Sequence, residues 1–304
     1  MGLSTVSAFK NINVDKNKYV VMTDEQLKEY QRCVLGIAKD CIEVCEKENI
    51  AYHLTGGSAL GAVRHQGFIP WDDDIDIDIL GRDFERFVTC FSKKYGAKYW
   101  IHTCKTNDYG MTLTRIRLKN SICRTREDIG NDECGFYIDI FRIENAPESK
   151  ILRTLHGIFS MGMGFLLSCR NFYKNRALMM ELADQQADLK RAFRIKIGIG
   201  FCLQMFSVRT WAIMTQKVYG LCKNDKSKYV TVPAGRNHYF GELYLRDEFV
   251  GYDRKYFEGN LWKIPKGWDS YLTHMYGDYM TLPQKKEREK HIVLELKFPE
   301  VEEE

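Results

Sequence analysis

Between residues 72 and 78 the chain reads Asp72-Asp73-Asp74-Ile75-Asp76-Ile77-Asp78, five carboxylates in seven positions. A β-strand sends successive side chains to opposite faces. In that register Asp74, Asp76 and Asp78 share one face while Ile75, Ile77 and Ile79 fill the other. Carboxylates this close repel one another, and a bound cation relieves the repulsion. The pattern predicts a hard divalent ion, Mg²⁺, held for phosphate chemistry. A solvated acidic loop is the plain alternative, but such loops rarely alternate with isoleucine at strand spacing.

The rest of the composition is that of a folded protein. With 304 residues, 44% hydrophobic and 28% charged, the chain can form one large domain or two ordinary ones. A net charge of +4 is too mild to argue for a nucleic-acid partner. The ten cysteines include no Cys-x-x-Cys pair, which argues against a zinc ribbon or a redox motif. Cys41 and Cys45 lie four apart in a helical pattern and read as core. Scattered, unpaired cysteines suit a reducing cytoplasm. Residues 1–19 hold no continuous apolar stretch of the kind a secretory signal needs.

Thr23-Asp24-Glu25-Gln26 reads as a capping box that opens a helix. Leu27, Tyr30, Val34, Ile37, Cys41 and Cys45 then give it one apolar face to about residue 48. A short strand is expected over 50–55, a Gly56-Gly57-Ser58 turn into a helix over 59–64, and a loop before the acidic strand over 74–80. A second helix is expected over 83–94, with Phe84, Phe87, Val88 and Phe91 inward. Further strands are expected over 99–103, 111–118, 122–125 and 136–141. Strands mixed with helices indicate an α/β (α+β) fold around a small mixed sheet. The divisions are a catalytic core over 23–148, a helical insertion over 149–227, and an aromatic-rich part over 228–292 that completes the core. Residues 1–22 and 293–304 read as tails, the last five acidic.

The insertion differs in character. Residues 150–223 hold 12 Lys and Arg against three acids, about +9, which leaves the remainder of the chain net acidic. Its uncharged stretches, Gly157–Cys169 and Ile197–Val208, are 13 and 12 residues long. Spanning a bilayer takes roughly 20. Two readings stay open: buried helices of a subdomain, or amphipathic helices peripheral to an anionic membrane, on its inner face. Most apolar helices are core, which favours the first.

Gly56-Gly57-Ser58 follows a strand and opens a helix, where backbone amides and the helix dipole suit an anion. Alone such a turn says little. A strand, a Gly-Ser turn, a helix and then an Asp-x-Asp strand say much more, because this order resembles that of the nucleotidyltransferase fold. There the turn grips nucleotide phosphates beside a carboxylate-bound metal.

Residues 54–79, LTGGSALGAVRHQGFIPWDDDIDIDI, resemble the signature of the LicD family of phosphotransferases, whose animal relatives are fukutin and fukutin-related protein. GFYIDIF at 135–141 and YLTHMYGDYMTLP at 271–283 agree with it, so the resemblance runs from about 25 to 292. It implies transfer of a phospho-alcohol, such as phosphocholine, from a CDP-alcohol donor to a sugar hydroxyl. The acceptor would be a glycan or lipid-linked glycan of the cell surface: teichoic acid, lipopolysaccharide or capsule. It implies Mg²⁺ or Mn²⁺ on Asp74 and Asp76, with Asp139 as a third ligand or as base on the incoming hydroxyl. Asp72 is a further candidate ligand, while Asp73 and Asp78 rank lower.

Gly56, Gly57 and Ser58 are the candidates for the donor's phosphates. Arg64 and His65, between turn and acidic strand, and Arg115 and Arg117, on one strand face, are candidates for its diphosphate. Each arginine reads equally as a surface ion pair, and a lone histidine is more often structural. Trp71 is a stacking surface or core; Arg236 and Asn237 are unranked ligands; Tyr276-Gly277-Asp278 has no assigned role. Two rival functions remain. The same fold can transfer a nucleotide from an NTP and release pyrophosphate, or persist as a non-catalytic scaffold for envelope assembly.

Overall fold

A computed structural model describes residues 20–106, 109–125, 128, 131–183, 187–284, 288 and 293–299. The capping box at Thr23 forms, with Thr23 and Gln26 each bonding the other's backbone N–H, and starts helix α1 (Asp24–Lys47). Its stripe of Tyr30, Val34, Ile37, Cys41 and Cys45 is buried as the spacing requires. It lies over a mixed sheet with α3 (Gly81–Tyr95), whose Phe84, Phe87 and Phe91 are fully buried.

The sheet order is β1 (Tyr52–Leu54), β2 (Asp76–Leu80), β6 (Tyr137–Ala146), β4 (Thr114–Leu118), β3 (Tyr99–His102). Only β2 and β6 run parallel. Ile75, Ile77 and Ile79 enter the core, each at most 1% exposed, and so set the register of the aspartates. The far half of β6 pairs with β7 (Tyr229–Thr231), which pairs with β8 (Leu243–Leu245). The C-terminal part thus completes the sheet after the chain has left it for four helices. A hairpin of β9 (Tyr252–Phe257) and β10 (Asn260–Pro265) leads into a helix over 268–276.

Several boundaries differ from expectation. The acidic strand starts at Asp76 rather than Asp74, because Asp72–Ile75 has no continuous ladder partner. That segment is held instead by single bonds, from Gln31 Nε2 to Asp72 O (2.8 Å) and from Asp139 N to Ile75 O (3.2 Å). Helix α2 (Gly56–Arg64) begins at the glycines themselves. β4 starts at Thr114, and β6 runs on to Ala146. Residues 293–297, read as tail, form β11 (Val293–Lys297) against β5 (Ile122–Thr125), and Val20 bridges Val293. Residues 1–19 and the acidic end, 300–304, lie outside the described residues.

The excursion comprises α4 (Lys150–Lys174), α5 (Arg176–Leu182), α6 (Ala187–Cys202) and α7 (Val208–Tyr219). Leu167, Cys169, Phe172, Phe193, Val208 and Ala212 are buried among these helices. The reading of both apolar stretches as buried holds for one side only. Ile158, Phe159, Met161, Phe201, Met205 and Phe206 are each 43% exposed or more. The reason is geometric, since a few packed helices leave each with an uncovered side. The first stretch also sits within a helix of 25 residues, long and apolar enough by length and composition to cross a membrane.

Candidate active site

β1 delivers the chain to Thr55, and α2 starts at Gly56 with φ of +53°. Thr55 makes no side-chain cap to α2. Its Oγ1 pairs instead with the Tyr271 hydroxyl at 2.8 Å, and the same hydroxyl accepts Gly56 N–H at 2.8 Å. Tyr271 lies on α8 (Trp268–Tyr276), so the third sequence motif fastens the glycine turn. Two further bonds tie the turn to β2: Thr55 N–H to Asp76 O (3.1 Å) and Asp76 N–H to Ser58 Oγ (2.9 Å).

The carboxylates lie directly over this turn. A methyl group at Gly57 would stand 2.7 Å from Asp72 Oδ2, and one at Gly56 would stand 3.0 Å from Asp76 Oδ2. Carboxylate oxygens of Asp72, Asp73 and Asp74 fall within 4.8 Å of one another. Asp76 stands opposite Asp139 on β6, and Asp139 opposite Arg115 on β4. Arg115 grips Asp139 at two points, Nε to Oδ1 (2.8 Å) and Nη2 to Oδ2 (3.3 Å). The Tyr276 hydroxyl reaches the same turn, 3.8 Å from where a methyl group at Gly56 would stand. Its phenol is pushed up by burial and then by Asp76, Asp72 and Asp74, while Arg236 acts on it with the opposite sign.

This donor set suits a hard divalent ion. It offers only oxygen, it gathers several like charges that a cation would relieve, and it adjoins a helix N-terminus that suits the ion's anionic partner. Asp73, ranked low from sequence, belongs to the tightest group, because the chain over 72–75 is not yet in strand register.

Asp78 answers the repulsion differently. It shares the alternating face, but Glu242 and the rings of Tyr244 and Tyr271 cover it, and it is fully buried. Burial and then Glu242 raise its carboxyl well above the usual range. Its neighbour His53, opposite it on β1, is held down to about 4 by burial and is uncharged near neutrality.

The basic candidates divide. Arg64 donates from Nη1 to Tyr279 O (2.5 Å) and from Nε to His65 Nε2 (3.0 Å). His65 Nε2 is the acceptor of that second bond, and burial and then Arg64 lower its imidazole. Arg115 belongs to the site through Asp139. Arg117 does not: it is 1% exposed, donating to Asp128 (2.6 Å) and Gly135 O (3.3 Å) inside the domain. Ser58 is 3% exposed and faces β2 rather than the open side of the turn. Trp71 carries the Arg288 guanidinium on its face at 3.9 Å. Asn237 donates its backbone N–H to Glu242.

Residues 49–153 match the family described as LicD/FKTN/FKRP, nucleotidyltransferase domain. Over that segment the chain is similar to the nucleotidyltransferase domain of the LicD family. Over 283 residues it is 28% identical to the lipopolysaccharide cholinephosphotransferase LicD of Haemophilus influenzae, covering 88% of this chain and 97% of that protein. Over 57 residues it is 44% identical to the ribitol 5-phosphate transferase FKRP of mouse and of human, 19% of this chain and 10% of each of those. The chain is a transferase of phosphate-containing groups.

Tyr271 and Gln31 were not singled out from sequence, and Tyr276 was marked there without a role. The two tyrosines lie in the YLTHMYGDYMTLP motif, whose resemblance marked the segment without showing what it touches. Nothing in the sequence near Gln31 points to its bond with Asp72.

Proposed function

We propose that the protein transfers a phospho-alcohol from a CDP-activated donor to a hydroxyl of a cell-surface glycan. The observation that carries this reading is the match along nearly the whole chain to a lipopolysaccharide cholinephosphotransferase. The turn and carboxylates are the chemistry such a reaction needs. Asp72, Asp74 and Asp76 would hold a Mg²⁺ or Mn²⁺ ion, with Asp73 or Asp139 completing the set. When bound, that ion neutralises charge on the donor's diphosphate.

The chain's own groups do the rest. The first amides of α2 would face the diphosphate, and Arg64 and Arg236 are the cations in electrostatic reach of Tyr276 beside the turn. Asp139, held at two points by Arg115, receives the acceptor's proton. The hydroxyl oxygen bonds to the phosphorus that carries the alcohol, the bond from that phosphorus to the bridging oxygen breaks, and CMP leaves. Positioning and charge compensation supply the rate. Ten free thiols suit a reducing compartment, and we place the reaction in the cytoplasm.

The test is product identification. Purified protein with Mg²⁺ is given CDP-choline, CDP-ribitol or CTP together with a candidate glycan. Release of CMP and a phospho-alcohol on the glycan is the expected result. Pyrophosphate from CTP, with CDP-alcohols left intact, would replace this reading with nucleotidyl transfer. Turnover of none of them, with no CDP compound bound in calorimetry, would favour a scaffold.

A further inference from the structure

The first half of α4 turns large apolar side chains outward. Ile151 is 73% exposed, Leu152 58%, Leu155 57%, Ile158 59% and Phe159 54%. Their spacing of three and four residues makes one continuous stripe along the helix. Only 28% of the helix's most apolar window is buried, whereas a core helix would be mostly covered.

The stripe is held rigidly against the catalytic part of the chain. On the opposite side of α4, His156 is buried and pairs with Val218 O (2.8 Å) and the Tyr239 hydroxyl (3.1 Å). Gly157 packs against the Phe240 ring so closely that a methyl group would lie 2.4 Å from it. The bond to Val218 also brings the end of α7 beside the start of α4. Lys217, Leu221 and Lys223 there are exposed, as is Lys150. Lys150 opens the helix that carries the stripe, and Lys217 and Lys223 lie at the end of a helix packed against it, within a segment that carries about +9.

We propose that this stripe rests in the interfacial layer of an anionic phospholipid bilayer, with Lys150, Lys217 and Lys223 among the headgroups. Burial of the stripe supplies non-specific affinity, and the positive charge of the segment selects anionic lipid. A second copy of the chain fits poorly, because symmetric pairing would press two +9 segments together. A membrane-spanning α4 fits poorly as well, since it would have to tear His156 from Tyr239 and bare the packed side facing α6 and α7. The inference concerns binding and stands whether or not the proposed reaction is correct.

The experiment is flotation of the purified full chain with vesicles of phosphatidylcholine alone or mixed with phosphatidylglycerol. The native chain should float with the mixed vesicles, stay at the bottom with phosphatidylcholine, and lose flotation as salt rises. Leu155→Glu with Ile158→Glu changes only exposed positions, so it should keep the native melting temperature and abolish flotation. Lys217→Glu with Lys223→Glu should do the same and serves as the second variant should the first not fold. Failure of the native chain to float, or flotation of either folded variant like the native chain, overturns the proposal. So does equal flotation on phosphatidylcholine alone, or a dimer in solution that the Leu155/Ile158 variant dissociates while neither form binds vesicles. Retention in cell membranes after alkaline carbonate washing would show that the helix spans, and would overturn it too.

Discussion

The hydroxyl oxygen of Ser58 accepts the backbone N–H of Asp76 at 2.9 Å, joining the first turn of α2 to the first residue of β2. Thr55 N–H returns a bond to Asp76 O at 3.1 Å. Two bonds of opposite direction therefore fix the distance between the first amides of α2 and the Asp76 carboxylate. A transferase of phosphate-containing groups needs that distance constant through the reaction, because positioning supplies much of its rate.

Ser58→Ala removes one of the two ties and leaves a buried amide without its acceptor. Stability should fall by about 1–2 kcal/mol. Activity should fall by more than the stability loss explains, on the order of tenfold in kcat/KM, because Asp76 gains freedom relative to the turn. Urea unfolding beside steady-state kinetics checks both, and an alanine variant with native kcat/KM would show the tie to be idle.

Asp76 and Asp139 stand opposite each other yet should respond differently to neutralisation. Asp76→Asn removes one of several crowded like charges and should leave stability within about 1 kcal/mol of native. Asp139→Asn leaves the buried Arg115 guanidinium without its counter-charge and should cost roughly 2–4 kcal/mol. Both should lower kcat by on the order of 10²–10³. Thermal melts with turnover measurements separate the cases; equal stability of the two variants would mean that Arg115 does not depend on Asp139.

The frame of the site was legible because it rests on local rules. Isoleucine alternation set the register of β2 and so the face of Asp76, and glycines after a strand marked the start of α2. What the sequence hid is tertiary. Arg115 and Arg117 have the same strand parity, and only Asp128, reached through a loop, decides that Arg117 is interior. Asp78 continues the alternation perfectly, yet it is fully buried, and burial and then Glu242, from beyond residue 240, raise its carboxyl. The outward face of α4 was equally hidden, since composition cannot tell which side of an apolar helix finds partners.

Glu144 gives a pH prediction with a definite sign. Burial pushes its carboxyl from the ordinary 4.5 up to about 7, although Gln216 donates to it at 2.7 Å. The native state therefore keeps a proton that the unfolded chain has released. The stability contributed by this group is full below pH 4.5, declines as pH rises, and is gone above about 7. Glu144→Gln retains an acceptor for Gln216 and removes the penalty. It should match the native protein near pH 4 and exceed it by roughly 2–3 kcal/mol near pH 8. Denaturant unfolding across that range tests it, and a variant equally destabilised at both ends would show that the carboxyl does not titrate there.

Gly56 and Gly57 adjoin, but a methyl group should act on them through different physics. At Gly57 the nearest atom is Asp72 Oδ2, the mobile end of a side chain, at 2.7 Å, and no positive φ is required. Asp72 can swing aside, and alanine favours the helix by up to about 1 kcal/mol, so Gly57→Ala should melt no lower than native. The displaced carboxylate no longer sits over the turn, so divalent-ion affinity and kcat/KM should both fall, on the order of tenfold. At Gly56 the φ of +53° penalises any side chain, and Gly56→Ala should lose about 1 kcal/mol of stability besides activity. Calorimetric Mg²⁺ titration with thermal melts distinguishes the two positions. A Gly57→Ala protein that binds Mg²⁺ as tightly as native would remove Asp72 from the ion's ligands and leave Asp74 and Asp76 to hold it.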